Sequence, residues 1–184
     1  MAKEKPGVKF DQTGLKVMQS ALKKMVDNHY VVQVGVFGDK AMRKSAEDKG
    51  LTNAEIGLIH EMGSVSRNIP RRSFLWDTFA NHGQELMETL KPHVEALFKK
   101  GKVELYLKEV GIASTNLVIE AFQTSGWGAW PQNAYSTIMR KLKGSLAKRR
   151  QMAAEVLYEG ATHTKPLIKT GQLWQAISSR TAKA

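Results

Sequence analysis

The segment Leu51–Phe79, LTNAEIGLIHEMGSVSRNIPRRSFLWDTF, constrains the fold more than any other, because its local chemistry says where helices begin, end and turn. Thr52 can accept from the backbone N–H groups of a first helical turn, and Glu55 can reach back to the cap. That is capping-box spacing. Ile56 and Ile59 share one helical face, with Leu58 beside them, and Gly63 can take the left-handed conformation that ends a helix. A polar loop, Ser64–Asn68, follows. Ile69 must be extended because it precedes Pro70. Ser73 then offers a side-chain oxygen to cap a new helix bearing Phe74, Leu75, Trp76 and Phe79. A helix, an irregular elbow and an aromatic-rich helix start are expected here, with nothing catalytic among them.

On either side of this segment the pattern is mixed helix and strand. Asp11–Asn28 reads as an amphipathic helix whose apolar stripe is Leu15, Met18, Leu22 and Met25/Val26. Tyr30–Phe37, YVVQVGVF, is the clearest strand, apolar on both faces and so expected to be covered on part of each. Residues 39–50, DKAMRKSAEDKG, are charged and lack a core stripe, which predicts a mobile surface loop. The helix begun at Ser73 has a seam of Leu75, Phe79, Leu86, Leu90, Val94 and Leu97, weakened at Gly83 and expected to kink or restart at Pro92. Lys99-Lys100-Gly101 stops it. Val103–Phe122 continues as a second helix, and the short connection makes the two an antiparallel hairpin. Gly111 suits close approach of a neighbouring backbone.

The remainder is less regular. Gln123–Asn133, QTSGWGAWPQN, is rich in glycine and aromatics, and Trp127 and Trp130 read as lids on the core or as interface anchors. Ser136–Lys143 is a short basic segment, and Ala147–Tyr158 has helix formers with a modest stripe at Met152 and Val156. Near the end, Pro166-Leu167-Ile168 is expected to be extended. Thr170 would cap a short helix containing Leu173, Trp174 and Ile177, with a terminal strand around Ser178–Thr181. The expected class is α+β: a small antiparallel or mixed sheet packed against several helices, in one domain spanning 1–184. A flexible arm (1–10) and a helical insertion (144–165) would be appended.

Composition narrows the functional classes. A chain of 184 residues with 42% hydrophobic and 24% charged content can bury a core as one soluble domain. Without cysteine there are no disulfides or thiolate metal sites. The start, MAKEKPGVKF, lacks the apolar core of a signal peptide, and no apolar run is long enough to span a bilayer. Assembly in the cytoplasm, with no membrane contact, is the expectation. The net charge of +11 is uneven: from Arg140 onward ten Lys/Arg face only Glu155 and Glu159, a net of +8. Such asymmetry fits a polyanion or an acidic protein surface, and equally a solvated basic face.

Catalytic and cofactor signatures are missing. His60-Glu61 lacks the second histidine of the HExxH zinc motif, since position 64 is Ser64. His29, His60, His82, His93 and His163 show no ligand spacing. No glycine pattern matches a dinucleotide or phosphate loop, and no serine sits in a nucleophile elbow. No enzyme, cofactor or metal is expected. Lys141, Lys143, Lys148, Arg149 and Arg150 could neutralise phosphates, a binding mode that is salt-dependent and blind to sequence.

Four stretches in order, VGVFGDK, AEIGLIHEMGS, NIPRRSFLWDTF and KPLIKTGQL, resemble the tail-completion or neck (head–tail joining) proteins of long-tailed bacteriophages, including the phage Mu-type virion morphogenesis proteins. The resemblance runs from about Tyr30 to Ile177. Its motif positions fall on Ala54, His60, Glu61 and Gly63, then Ile69, Pro70, Arg72, Ser73 and Phe74, then Pro166, Leu167, Thr170, Gly171 and Leu173. Between Lys143 and Pro166 the chain carries a helical stretch where family members are often shorter, which suggests a phage-specific docking element.

The resemblance implies a non-catalytic structural virion subunit that forms a homo-oligomeric, hexameric ring at the head-proximal end of the tail. Its partners would be tail terminator or tail tube proteins, head connector proteins, and DNA passing through the lumen without sequence specificity. Under it, Phe74, Leu75 and Phe79 would pin the long helix to the sheet, Arg72 would pair with an acidic group across a loop or a subunit boundary, and Thr170 would cap the last helix. The basic residues Arg43, Lys44, Lys141, Lys143, Lys148, Arg149 and Arg150 become candidates for the interface or the channel. The alternative is a nucleic-acid-binding protein acting through its cationic C-terminal third.

Overall fold

Strand pairing brings an early segment of the chain to a late one. In the computed structural model, which describes residues 13–44, 50–142, 144–159, 166–167 and 171–183 (without the side chains of 95, 96, 98, 99 and 155–159), β1 (Tyr30–Val36) pairs antiparallel with β2 (Ile177–Lys183). Tyr30 sits opposite Lys183 and Val36 opposite Ile177. Among the described residues this is a two-stranded sheet, with seven α-helices around it: α1 (Thr13–Asp27), α2 (Gly38–Met42), α3 (Asn53–Met62), α4 (Trp76–Lys100), α5 (Val103–Thr124), α6 (Tyr135–Lys141) and α7 (Leu146–Glu159). The α+β class stands. No helix among the described residues is long and apolar enough to cross a membrane.

The helical hairpin is α4 and α5. Gly101 turns the chain at φ 63° and donates its N–H to Leu97 O at 2.6 Å, a left-handed stop that glycine adopts without a steric penalty. α4 runs unbroken through Pro92, which is exposed, so the expected restart does not occur. On α5, Gly111 is buried against the sheet. A Cβ there would lie 2.6 Å from Ser179 Oγ and 3.1 Å from Ser179 Cβ, so the close neighbour is a strand side chain.

Apolar side chains gather in separate clusters. The largest joins Phe74, Val118, Phe122, Trp130, Leu173 and Ile177 beneath Val34 and Val36. Phe74 lies 5.0 Å from Phe122, and Trp130 meets Phe122 edge-on at 5.7 Å. Trp130 is thus core, while half-buried Trp127 stacks on His82 at 3.5 Å. A second cluster joins Ala21 of α1 to Leu97, Val103 and Leu107, with Tyr30 and Val32 packed on it. A third, Ile138, Leu142 and Ala153, holds α6 to α7.

Several expectations are corrected. α1 packs through Ala21 and Met25, leaving Leu15, Leu22 and Val26 exposed, because the core takes the small residue where close approach is needed. An ion pair from Lys24 to Glu104 ties α1 to α5. Residues 39–44 are not wholly loop: α2 is a short helix, Asn53 Nδ2 donates to Lys40 O at 2.7 Å, and Asn53 N donates to Arg43 O at 3.0 Å. In keeping with the expectation for β1, its outer face is covered in part, by Phe37 over Gly35 and by Arg180 stacked 4.4 Å from the Phe37 ring. Leu167 lies in a turn with φ 62°, where an extended residue was expected. Trp174–Ala176 is a single 3-10 turn and Ile177 already begins β2. The 1–10 arm, residues 45–49, Lys143, residues 160–165, Ile168 and Thr170 lie outside the described residues.

Candidate functional site

Glu61 organises the elbow. Thr52 and Glu55 start α3 as the capping box requires: Glu55 N donates to Thr52 Oγ1 at 3.2 Å and Thr52 N to Glu55 Oε2 at 2.8 Å. At the other end of α3, Glu61 turns its carboxylate across to the start of α4. Phe74 N (2.9 Å), Leu75 N (3.1 Å), Trp76 N (2.9 Å) and Ser73 Oγ (2.5 Å) all donate to it. The first N–H groups of a helix lack partners within it and carry the positive end of its dipole. A carboxylate is their natural acceptor, each charge-assisted bond contributing about 1.5–3 kcal/mol net. Ser73 Oγ in turn accepts from Asp77 N at 2.9 Å. The expected Ser73 cap is therefore real but secondary, and Glu61, the neighbour of His60 in the incomplete metal motif, is the principal cap.

The intervening loop is closed on itself. Ser64 and Ile69 exchange backbone bonds at 2.8 and 2.9 Å, and Arg72 N donates to His60 O at 2.8 Å. At Gly63, φ is 74° and a Cβ would lie 2.9 Å from Arg71 N, so glycine is required by space as well as by conformation. Arg71 grips Asp77 with two bonds of 2.8 and 2.7 Å.

Three motif segments distant in sequence line one cleft. His60 of α3, Ile69, Pro70 and Arg72 of the elbow, and Leu167 and Leu173 near the end surround a space of about 290 Å³, with Arg140 and Lys141 of α6 on its wall. Arg72 is 5% exposed. Its Nε donates to Pro131 O at 3.0 Å and its Nη2 to Gln132 O at 2.9 Å. Within the chain, and among the described residues, these two carbonyls rather than an acidic group across the loop are the acceptors of Arg72. Burial pushes its guanidinium below the ordinary pKa, although arginine remains charged at neutral pH.

The other motif residues act in the scaffold. Phe74 is core, Pro166 is buried, and Ala54 is exposed on the first turn of α3. Gly171 has φ 72°, and a Cβ would lie 2.8 Å from Trp174 Nε1. Of the candidate basic residues, Lys141 lines the cleft; Arg43, Lys44, Lys148 and Arg150 are exposed on other elements. Arg149 is half-buried and donates to Met139 O at 3.5 Å, so it helps hold α7 to α6.

The sequence reading missed two features: the Glu61 clamp and the exposed apolar surface beside it. Leu58 (64% exposed), Met62 (69%), Val65 (101%) and Trp76 (73%) are all presented around the elbow. Leu58 and Met62 are four apart on α3, a spacing that places them on one face. Among the described residues no group of three or more His, Asp or Glu is placed to hold a metal ion. Comparison of the chain with protein-family models, with curated proteins and with solved structures finds no match.

Proposed function

We propose that this chain is a structural virion subunit that assembles with copies of itself into a ring at the head-proximal end of a phage tail, around the channel for DNA. Two things support the reading: the ordered motif resemblance, and a surface suited to assembly. The observation that carries it is the elbow patch of Leu58, Met62, Val65 and Trp76. Large apolar side chains grouped on a monomer's surface mark contact sites, and Trp and Met are enriched in their centres. Here Glu61 accepts from Trp76 N at 2.9 Å and so ties the start of α4, which carries Trp76, to the end of α3, which carries Met62; contacts already in place lower the ordering cost of association.

Imaging of particles made without the gene product tests the function directly. Separate heads and tails, or tails with abnormal ends, are expected; normal infectious particles would defeat it. The patch is tested by light scattering of full-length protein on a sizing column. Trp76→Ser combined with Val65→Ser should abolish ring formation, or binding to tails where rings form only there, while leaving the monomer folded. The competing reading, duplex binding through the exposed Lys148 and Arg150 on α7, requires tight binding at physiological salt with a steep salt dependence.

A further inference from the structure

We propose that the cleft between α3, the elbow and α6 binds an acidic peptide segment of a partner protein, seating one carboxylate against Arg72. Arg72 lines the cleft and is 5% exposed, and among the described residues the acceptors of its guanidinium are the neutral carbonyls of Pro131 and Gln132. Carbonyls satisfy donors but do not balance a buried charge, and buried charges are ordinarily paired. Among the described residues, those lining the cleft include Arg140 and Lys141 and no Asp or Glu. An oxyanion is therefore the complementary ligand, and the planar guanidinium suits a carboxylate in particular.

Shape decides between a peptide and a nucleic acid. The space is about 290 Å³ and is partly walled by Ile56, Ile69, Pro70 and Leu173. Duplex phosphates lie on a broad, stiff, fully polar surface that rides over exposed cations. A single Asp or Glu side chain, or a chain terminus, can descend to a guanidinium below the surface while its apolar neighbours meet the aliphatic wall. The inference holds whether or not the protein forms rings.

The probe is a fluorescein-labelled Gly-Glu-Leu-Glu-Gly peptide, followed by anisotropy on the full chain, with the Gln-for-Glu peptide, inorganic phosphate and a short DNA duplex as comparisons. The acidic peptide should bind at least about tenfold more tightly than its amide counterpart, and Arg140→Glu should weaken it about tenfold with an unchanged melting temperature. Titration should also move the Arg72 Nε–H resonance in a nitrogen-15 spectrum, assigned in the wild-type protein by through-bond correlation to the Arg72 backbone amide. That resonance is read in the wild-type protein, so the test survives if the substitution unfolds the chain. Equal binding of the two peptides, no effect of Arg140→Glu, or an unmoved Arg72 resonance would overturn the proposal. So would displacement of the peptide by phosphate or duplex at equal or lower concentration.

Discussion

Four donors converge on the single carboxylate of Glu61, and three of them are backbone N–H groups. Glu61→Ala should leave these donors to solvent and destabilise the protein by about 3 kcal/mol, with Glu61→Gln costing about 1–2 and Ser73→Ala about 1. Urea denaturation reads all three. The helix start at α3 behaves differently with pH. Glu55 is held below the usual carboxylate range, first by the Thr52 backbone N–H and then by its hydroxyl. A depressed folded-state pKa gives stability that is complete above the ordinary carboxylate value and lost as pH falls through the lowered one. Glu55→Gln should therefore give a shallower acid limb in a stability–pH profile than the wild type. The Thr52–Glu55 box was legible because both partners lie within one turn. Glu61 was not, because its donors stand 12 to 15 residues away and no fixed spacing encodes a contact across an elbow.

Helix and strand identity followed from periodicity, whereas the choice of packing face did not. α1 carries apolar residues over a wide arc, and the pattern alone does not say which half of that arc meets α4 and α5. The small side chain of Ala21 settles it. α4 shows the converse: proline's lost hydrogen bond was expected to interrupt the helix, but the apolar contacts of Leu90 and Leu97 on either side keep it continuous. The glycines of the two hairpin helices, Gly83 in α4 and Gly111 in α5, make a matched pair. A methyl group added at Gly83 would have no atom within 4 Å, while one added at Gly111 would overlap Ser179. Gly83→Ala should stabilise by about 0.5–1 kcal/mol through helix propensity. Gly111→Ala should destabilise by about 1–3 kcal/mol through overpacking, and Ser179→Gly in the same chain should recover most of that loss. Thermal melts of the three variants check the signs.

At the scale of the whole molecule, α5 and β1 form the spine. β1 lends Tyr30 and Val32 to one apolar cluster and Val34 and Val36 to the other, and α5 supplies buried residues to both. The α+β class and the hairpin were legible, since they follow from local patterns summed along the chain. The cleft was not, because its walls come from α3, the elbow, α6 and the residues Leu167 and Leu173, which no local pattern relates. Each motif could be read as a turn or cap, but their meeting around Arg72 is a property of the folded chain.

The ribbon joining β1 to β2 has a consequence for how copies are made. Gln33 and Arg180, bonded at 2.8 Å across it, are separated by 147 positions, so the first strand leaves the ribosome long before its mate exists. Until then the backbone of Val32 and Val34 lacks its partners Thr181 and Ser179, and pairings this remote close slowly. A copy terminated before β2 would contain both α5 and β1 but could not form the two-stranded ribbon. The ribbon can therefore close only after translation has passed Lys183.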